Sequence, residues 1–264
     1  MDETRGAHHV QSLDRGLAVI RAFGADAPEL TLSDVARTTG LTRAAARRFL
    51  LTLADLGYVR TDGKYFSLTA RVLELGYAYL SSMSLPEVAT PHLERLSAEV
   101  HESSSVSVLE GGDIVYVARV AVSRIMTVSI NVGTRFPAYA TSMGHVLLAG
   151  LPDDRLDEYL AQARLDRLTS HTLTSEAALR AELAEVRGRG WALVDQELEE
   201  GLRSVAAPIR GRDGKVVAAV NVSTHASRTS LDVVRDEMVP RLLDAAERIE
   251  ADLAVAPPSR ATRG

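Results

Sequence analysis

Leu32-Ser33-Asp34-Val35-Ala36-Arg37-Thr38-Thr39-Gly40-Leu41-Thr42 is the stretch that decides how the first part of this chain folds. Ser33 is a candidate N-cap, Gly40 a helix stop, and Thr42 a second cap that follows almost at once, so two short helices meet across a three-residue turn. On the second helix Ala46, Phe49, Leu50 and Leu53 share one face, while Arg43, Ala44, Ala45, Arg47 and Arg48 lie around or opposite it. Alanines let a helix backbone approach the floor of a major groove, and arginines reach guanine edges or phosphates. An ordinary solvated face would give the same pattern.

Both flanks narrow the choice. Upstream, Leu13, Leu17, Ile20 and Phe23 recur at helical spacing from Gln11 to Phe23, with Ser12 as a candidate cap and Gly24 and Pro28 as stops. Downstream, Tyr58-Val59-Arg60-Thr61 and Lys64-Tyr65-Phe66-Ser67-Leu68 are β-prone runs joined by Asp62-Gly63, a pair suited to a tight hairpin turn. Residues 1–68 therefore read as a winged helix-turn-helix. Its candidate contacts to double-stranded DNA are Thr42, Arg43, Ala44, Ala45, Arg47 and Arg48 on the second helix and Arg60 and Lys64 on the hairpin.

The charge distribution agrees. The chain of 264 residues carries a net charge of −5, yet residues 31–68 are net +3, which leaves the remainder at −8. A small basic module on an acidic body is expected if only the first part meets phosphate. With 46% hydrophobic and 25% charged residues the chain can bury a core, and its length suits two domains. The absence of cysteine excludes disulfides, thiolate metal sites and a cysteine nucleophile. No apolar run of membrane-spanning length occurs and Met1 to His9 lacks the apolar core of a signal peptide, so a cytoplasmic protein without a membrane partner is expected.

Residues 69–84 are expected to form a connecting helix, because Val72, Leu73, Leu75, Gly76 and Leu80 are too apolar for a free linker. It could pair with a second copy or be buried within its own chain. Pro86 opens a further helix to about His101. Residues 85–254 then mix the two periodicities. Strands are expected at Ser105 to Leu109, Ile114 to Val120, Ile125 to Val132, Trp191 to Asp195, Val205 to Ile209 and Val216 to Ser223. Helices are expected at Gly144 to Ala149, Asp153 to Gln162, Ser175 to Arg189 and Ser230 to Leu253, with residues 255–264 a flexible tail. The fold class is α+β.

The chain resembles the IclR family of transcriptional regulators. The resemblance rests on the winged module and on two later segments. One is Gly133-Thr134-Arg135-Phe136-Pro137-Ala138-Tyr139-Ala140-Thr141-Ser142-Met143-Gly144-His145. The other runs from Gly190-Trp191-Ala192 through Gly201-Leu202-Arg203-Ser204 to Asn221-Val222-Ser223-Thr224. The run from Val220 to Arg228 is most similar to the branch that controls protocatechuate, 4-hydroxybenzoate and β-ketoadipate catabolism. The resemblance implies a GAF-like second domain that binds a small carboxylic acid, with Ser142, Met143, Val194, Ser204, Asn221 and Ser223 lining the site. Many relatives have a carboxylate at Val194, and a lysine or arginine at His145. It also implies operator DNA and a homo-oligomer, dimer or tetramer, as partners.

The residues themselves allow part of this. A helix beginning at Met143-Gly144 would point free N–H groups at an anion, and Asn221 and Ser223, two apart on a strand, share a face. Each could equally satisfy a buried backbone group. An enzyme using His145, His225, Asp195 or Glu197 is the main rival, but no HExxH, nucleophile elbow, phosphate loop or dinucleotide fingerprint occurs. No catalytic residue, metal ligand or cofactor is therefore expected, and Glu197, Glu199 and Glu200 read as a solvated run. The remaining rival is an interaction module that never meets DNA.

Overall fold

The computed structural model describes residues 9–24, 27–75, 85–122 and 130–255, and the chain divides into two compact units, Met1–Ser81 and Ser82–Gly264. In the first unit α1 (Gln11–Arg21), α2 (Leu32–Thr39) and α3 (Arg43–Asp55) enclose a small core of Val19, Phe23, Val35, Ala46, Leu50, Leu53, Val59 and Phe66. The helix starts differ from expectation. Ser12 and Ser33 are each the second residue of their helices. The α1 N-cap is Val10, without a side-chain cap. The α2 N-cap is Thr31, whose hydroxyl accepts from Asp34 N while Asp34 accepts from Thr31 N, a reciprocal capping box. Gly40 at φ 67° ends α2, and Thr42 caps α3, as the sequence suggests. Leu13 and Leu17 do not face the core. They stay exposed, and Val19 supplies the buried position instead.

β2 (Val59–Thr61) and β3 (Tyr65–Leu68) form the wing, and β1 (Glu29–Thr31) adds a third strand on β3, too short to show a period in the sequence. Asp62 N donates to Tyr65 O at 3.3 Å, so the two residues at the turn are Gly63 and Lys64 rather than Asp62 and Gly63. Asp62 serves the turn from below. Its carboxylate accepts from the backbone N–H of Tyr65 and of Lys64, which holds it below the usual carboxylate range. Beyond the wing, the expected connecting helix starts as a 3₁₀ turn at Ala70–Val72, and its residues 76–84 lie outside the described residues.

The second unit has three layers. Its sheet, in the order β6-β5-β4-β9-β8-β7, is antiparallel throughout. The strands are β4 (Ser103–Glu110), β5 (Asp113–Val120), β6 (Arg135–Pro137), β7 (Ala192–Asp195), β8 (Leu202–Arg210) and β9 (Val216–His225). One face packs on α4 (Leu85–Val100) and the closing helix α8 (Val239–Val255), which meet Val106, Val205, Val220 and Val222. α8 follows a helical turn at Leu231–Val233 and a π-helical stretch at Val234–Met238. The other face carries α5 (Ser142–Ala149), α6 (Asp153–Gln162) and α7 (Glu176–Arg189). The strand expected at Ile125 to Val132 falls largely on residues 123–129, which are not described, and Ile130 to Val132 are not strand; β6 follows three residues later. Among the described residues no helix is long and apolar enough to cross a membrane.

Candidate functional site

The exposed surface of α3 carries Arg43, Ala44, Arg47 and Arg48, and Ala45 is half-buried at its edge. Thr42 is occupied as a cap, its hydroxyl accepting from Ala45 N at 3.2 Å. Arg48 and Arg15 line a cleft of about 320 Å³ between α1 and α3, together with Gln11, Ser12, Phe49 and Thr52. On the wing, Arg60 Nε donates to Ser67 Oγ at 3.0 Å, which stiffens that side chain, and Lys64 sits at the turn with its ammonium 4.9 Å from the Tyr65 ring. The expected cations are thus placed on α3 and on the wing of one small unit.

The α5 face of the sheet is the unusual surface in the second unit. Cross-strand partners point to the same side, so the register Val194↔Ser204↔Ser223↔Ser103 is one row of side chains and Ala206↔Asn221↔Ser105↔Arg119 is the next. Interiors usually fill such rows with apolar groups, but here serines and an asparagine occupy the middle. Ser204 Oγ lies 2.7 Å from Ser142 Oγ of α5, 3.0 Å from Asn221 Nδ2 and 3.3 Å from Ser223 Oγ, and donates to Val222 O at 3.2 Å. Since its proton goes to Val222, Ser204 can only accept from the others, which fixes the Asn221 amide with nitrogen toward the serines. Asn221 Oδ1 is left buried without a partner. An oxygen has two lone pairs and three donors crowd this one, so Ser223, the most distant, is the hydroxyl free to turn to a ligand.

Four of the six expected lining residues, Ser142, Ser204, Asn221 and Ser223, are therefore one connected cluster. Val194 forms its apolar edge beside Ser204. Met143 is buried next to it, its sulfur accepting from Ser107 Oγ at 3.1 Å. The helix does not begin at Met143-Gly144. It begins at Ser142, and Gly144 N–H is taken by the Thr141 cap at 3.1 Å, so it is not available to an anion. His145 brings no cation either. It is fully buried, burial holds it below the ordinary histidine range, and Nε2 is spent on Tyr139 O at 2.7 Å. Among the described residues the cation in these two rows is Arg119, at a strand position that sequence periodicity alone does not distinguish. Ser103, Ser105 and Ser107 extend the polar rows and were likewise illegible.

The groups named for an enzyme are dispersed. Asp195 is held by Arg203 at 2.9 and 3.0 Å, His225 faces Ser227 at 2.8 Å, and His145 is a buried residue of α5 itself. Among the described residues no three His, Cys, Asp or Glu are grouped to hold a metal.

A winged helix-turn-helix with exposed arginines, followed by a sheet domain with a buried polar face, is the architecture of a DNA-binding regulator. Comparison with known proteins identifies which kind. The IclR helix-turn-helix domain matches residues 12–63, and the bacterial transcriptional regulator IclR C-terminal domain matches residues 77–251. The Pca regulon regulatory protein of Pseudomonas putida is 48% identical over 89% of this chain and 81% of its own length. A crystal structure of a transcriptional regulator from Rhodococcus sp. RHA1 is 64% identical with a TM-score of 0.85, covering 94% of this chain and 99% of that one. An IclR homolog from Microbacterium hydrocarbonoxydans, crystallised with 4-hydroxybenzoate, is 29% identical with a TM-score of 0.82 over 93% of this chain and all of that one. The chain belongs to the IclR family of DNA-binding transcriptional regulators and, its relatives being regulators, is not read as an enzyme.

One residue departs from its expected setting. Glu197 is not part of a solvated run: it is 9% exposed, with Leu173 N donating to its carboxyl at 3.4 Å, while Thr172 Oγ1 holds its backbone oxygen at 2.7 Å. Burial, resisted by the Leu173 bond and aided by the nearby Glu182 carboxylate, pushes its pKa up to about 7. A carboxyl whose folded pKa is raised binds its proton more tightly folded than unfolded. The stability this carboxyl contributes is therefore full below about pH 4.5, the unfolded value, and is lost as pH rises through about 7. Chemical denaturation should show Glu197→Gln close to wild type at pH 4.5 and more stable by roughly 1 to 3 kcal/mol at pH 8. Equal stability increments at both pH values would show that the carboxyl titrates normally.

Proposed function

We propose that the chain binds operator DNA through α3 and the wing, as at least a dimer, and that its DNA binding or activity responds to a small carboxylic acid of aromatic catabolism held on the α5 face of the sheet. The observation that carries the effector reading is the connected set Ser142, Ser204, Asn221 and Ser223, with an unsatisfied buried oxygen, on a sheet face where an apolar row would be cheaper. The 4-hydroxybenzoate bound to the Microbacterium homolog and the Pca regulon named for the Pseudomonas relative supply the class of acid.

For DNA, Arg48 is assigned to phosphate and Arg43 and Arg47 to base edges. In a gel shift on the DNA upstream of its own gene, Arg48→Ala should weaken binding on all sequences and lower the salt slope by about one unit. An unchanged slope would remove Arg48 from the interface. No salt-sensitive binding by wild type would leave only the interaction-module reading.

One recognition helix reads only a few base pairs, so useful specificity calls for two half-sites and hence two copies. Exposed Leu73 and Leu75, after the wing, are candidates for that contact. Light scattering should give a dimer or larger with operator DNA, and a monomer with and without DNA would defeat the proposal.

For the effector, calorimetry with 4-hydroxybenzoate, protocatechuate and β-ketoadipate should give heat with at least one. Ser223→Ala removes one neutral hydrogen bond of about 0.5 to 1.5 kcal/mol, a roughly two- to ten-fold loss of affinity. No heat from any acid would sink the aromatic-catabolism assignment, and indifference to Ser223→Ala would move the site.

A further inference from the structure

The effector face lacks a charge in the reading above, and the residue that supplies one is Arg119. Its guanidinium sits in the row Asn221↔Ser105↔Arg119, two strand spacings from Asn221, or roughly 10 Å between backbones. Nη1 donates to Ser105 Oγ at 3.1 Å, which aims the side chain along the sheet toward Asn221. Ser105 is itself 1% exposed. Nε is buried with no partner. Among the described residues no carboxylate lies within ion-pair distance of this guanidinium. Among the described residues its titratable neighbour is Tyr116, whose buried phenol is kept neutral with a pKa pushed up to about 12. Burial lowers the Arg119 pKa without making it a neutral group, since guanidinium does not lose its proton in proteins.

The face thus holds two unmet demands of opposite kind. At one end a buried cationic donor lacks an acceptor, and at the other a buried amide oxygen, Asn221 Oδ1, lacks a donor. Buried polar groups are paired in folded proteins, and a half-buried cation without a counter-charge is costly. A single molecule carrying an anion and, on the far side of a flat spacer, a hydroxyl would satisfy both. Accepting the effector reading above, we propose that Arg119 anchors the effector's carboxylate while Asn221 Oδ1 accepts a hydrogen bond from a hydroxyl at its other end, so that the ligand class is a hydroxy acid and not a dicarboxylate. A second carboxylate would meet Asn221 Oδ1, an acceptor against an acceptor, with no second cation in the two rows.

The test uses the full-length chain and four probes in calorimetry: 4-hydroxybenzoate, the neutral 4-hydroxybenzamide, benzoate and β-ketoadipate. Wild type should bind 4-hydroxybenzoate at least about ten-fold more tightly than the amide or benzoate, and more tightly than β-ketoadipate. Arg119→Gln should weaken 4-hydroxybenzoate binding roughly ten- to hundred-fold and abolish the preference for acid over amide. Arg119→Lys, which keeps the charge, should retain the preference at reduced affinity, and it decides the matter if the glutamine variant melts early or loses its near-ultraviolet dichroism. A preference unchanged in Arg119→Gln overturns the anchor while leaving the effector site standing. Tighter binding of β-ketoadipate than of 4-hydroxybenzoate overturns the assignment of Asn221. If wild type binds none of the acids, the effector reading itself falls and this assignment falls with it.

Discussion

The contact on which the second domain depends is the seating of Gly144 against the backbone of Ala138. A Cβ at position 144 would overlap the Ala138 carbonyl, so α5 can lie this low over the sheet only because no side chain stands there. The Thr141 cap fixes where the helix starts, and the close approach fixes how deep it sits. Together they carry Ser142 within 2.7 Å of Ser204. A helix held one methyl group farther out would leave the polar rows open to water.

This arrangement places polar groups where apolar ones would stabilise more. The opposite face of the same sheet is filled by Val106, Val205, Val220 and Val222 against α4 and α8, where burial stabilises at about 25 cal/mol per Å². The α5 face places Ser103, Ser105, Ser107, Ser204 and Asn221 at equivalent depth. A buried hydroxyl contributes only about 0.5–1.5 kcal/mol when hydrogen-bonded, and costs on the order of 1–3 kcal/mol when it is not. Both faces of the sheet therefore help hold the domain together, but the α5 face does so around a polar patch, with Ile114, Leu147, Leu148 and Leu183 packed beside it.

The legible parts of the chain were those whose signal is local. Gly40, Thr42 and the apolar set Ala46, Leu50 and Leu53 specify the paired helices within a dozen residues, and Ser175 and Gly190 bound α7 in the same way. Caps were less reliable where two candidates were adjacent: Thr31 outcompeted Ser33 because Asp34 stands three residues after it and completes the box. Strand β1 was missed because its apolar neighbour, Phe66, is 36 positions away from Leu30. The α5 face of the sheet combined both situations. Ser142, Ser204, Asn221 and Ser223 entered through resemblance, but Arg119 reaches their row only through the pairing of β4 with β5 across a register shift between Val106 and Ser107. No period-2 count carried through that shift would have placed it. Glu197 misled for the same reason, since a run of three acids gives no hint that one turns inward.

Charge gives the last constraint. Outside the basic stretch of the winged module the chain is net −8, which opposes an incoming anion as well as nonspecific contact with DNA. At physiological ionic strength that repulsion is screened beyond about 8 Å, so surface carboxylates scarcely reach a buried site. Inside, the effective dielectric is lower and a near charge acts strongly. The acidic body can therefore keep phosphate contact confined to the winged module and still admit an organic anion, provided the cation that receives it is local and sheltered. Arg119, buried at Nε and steadied by Ser105, meets that condition.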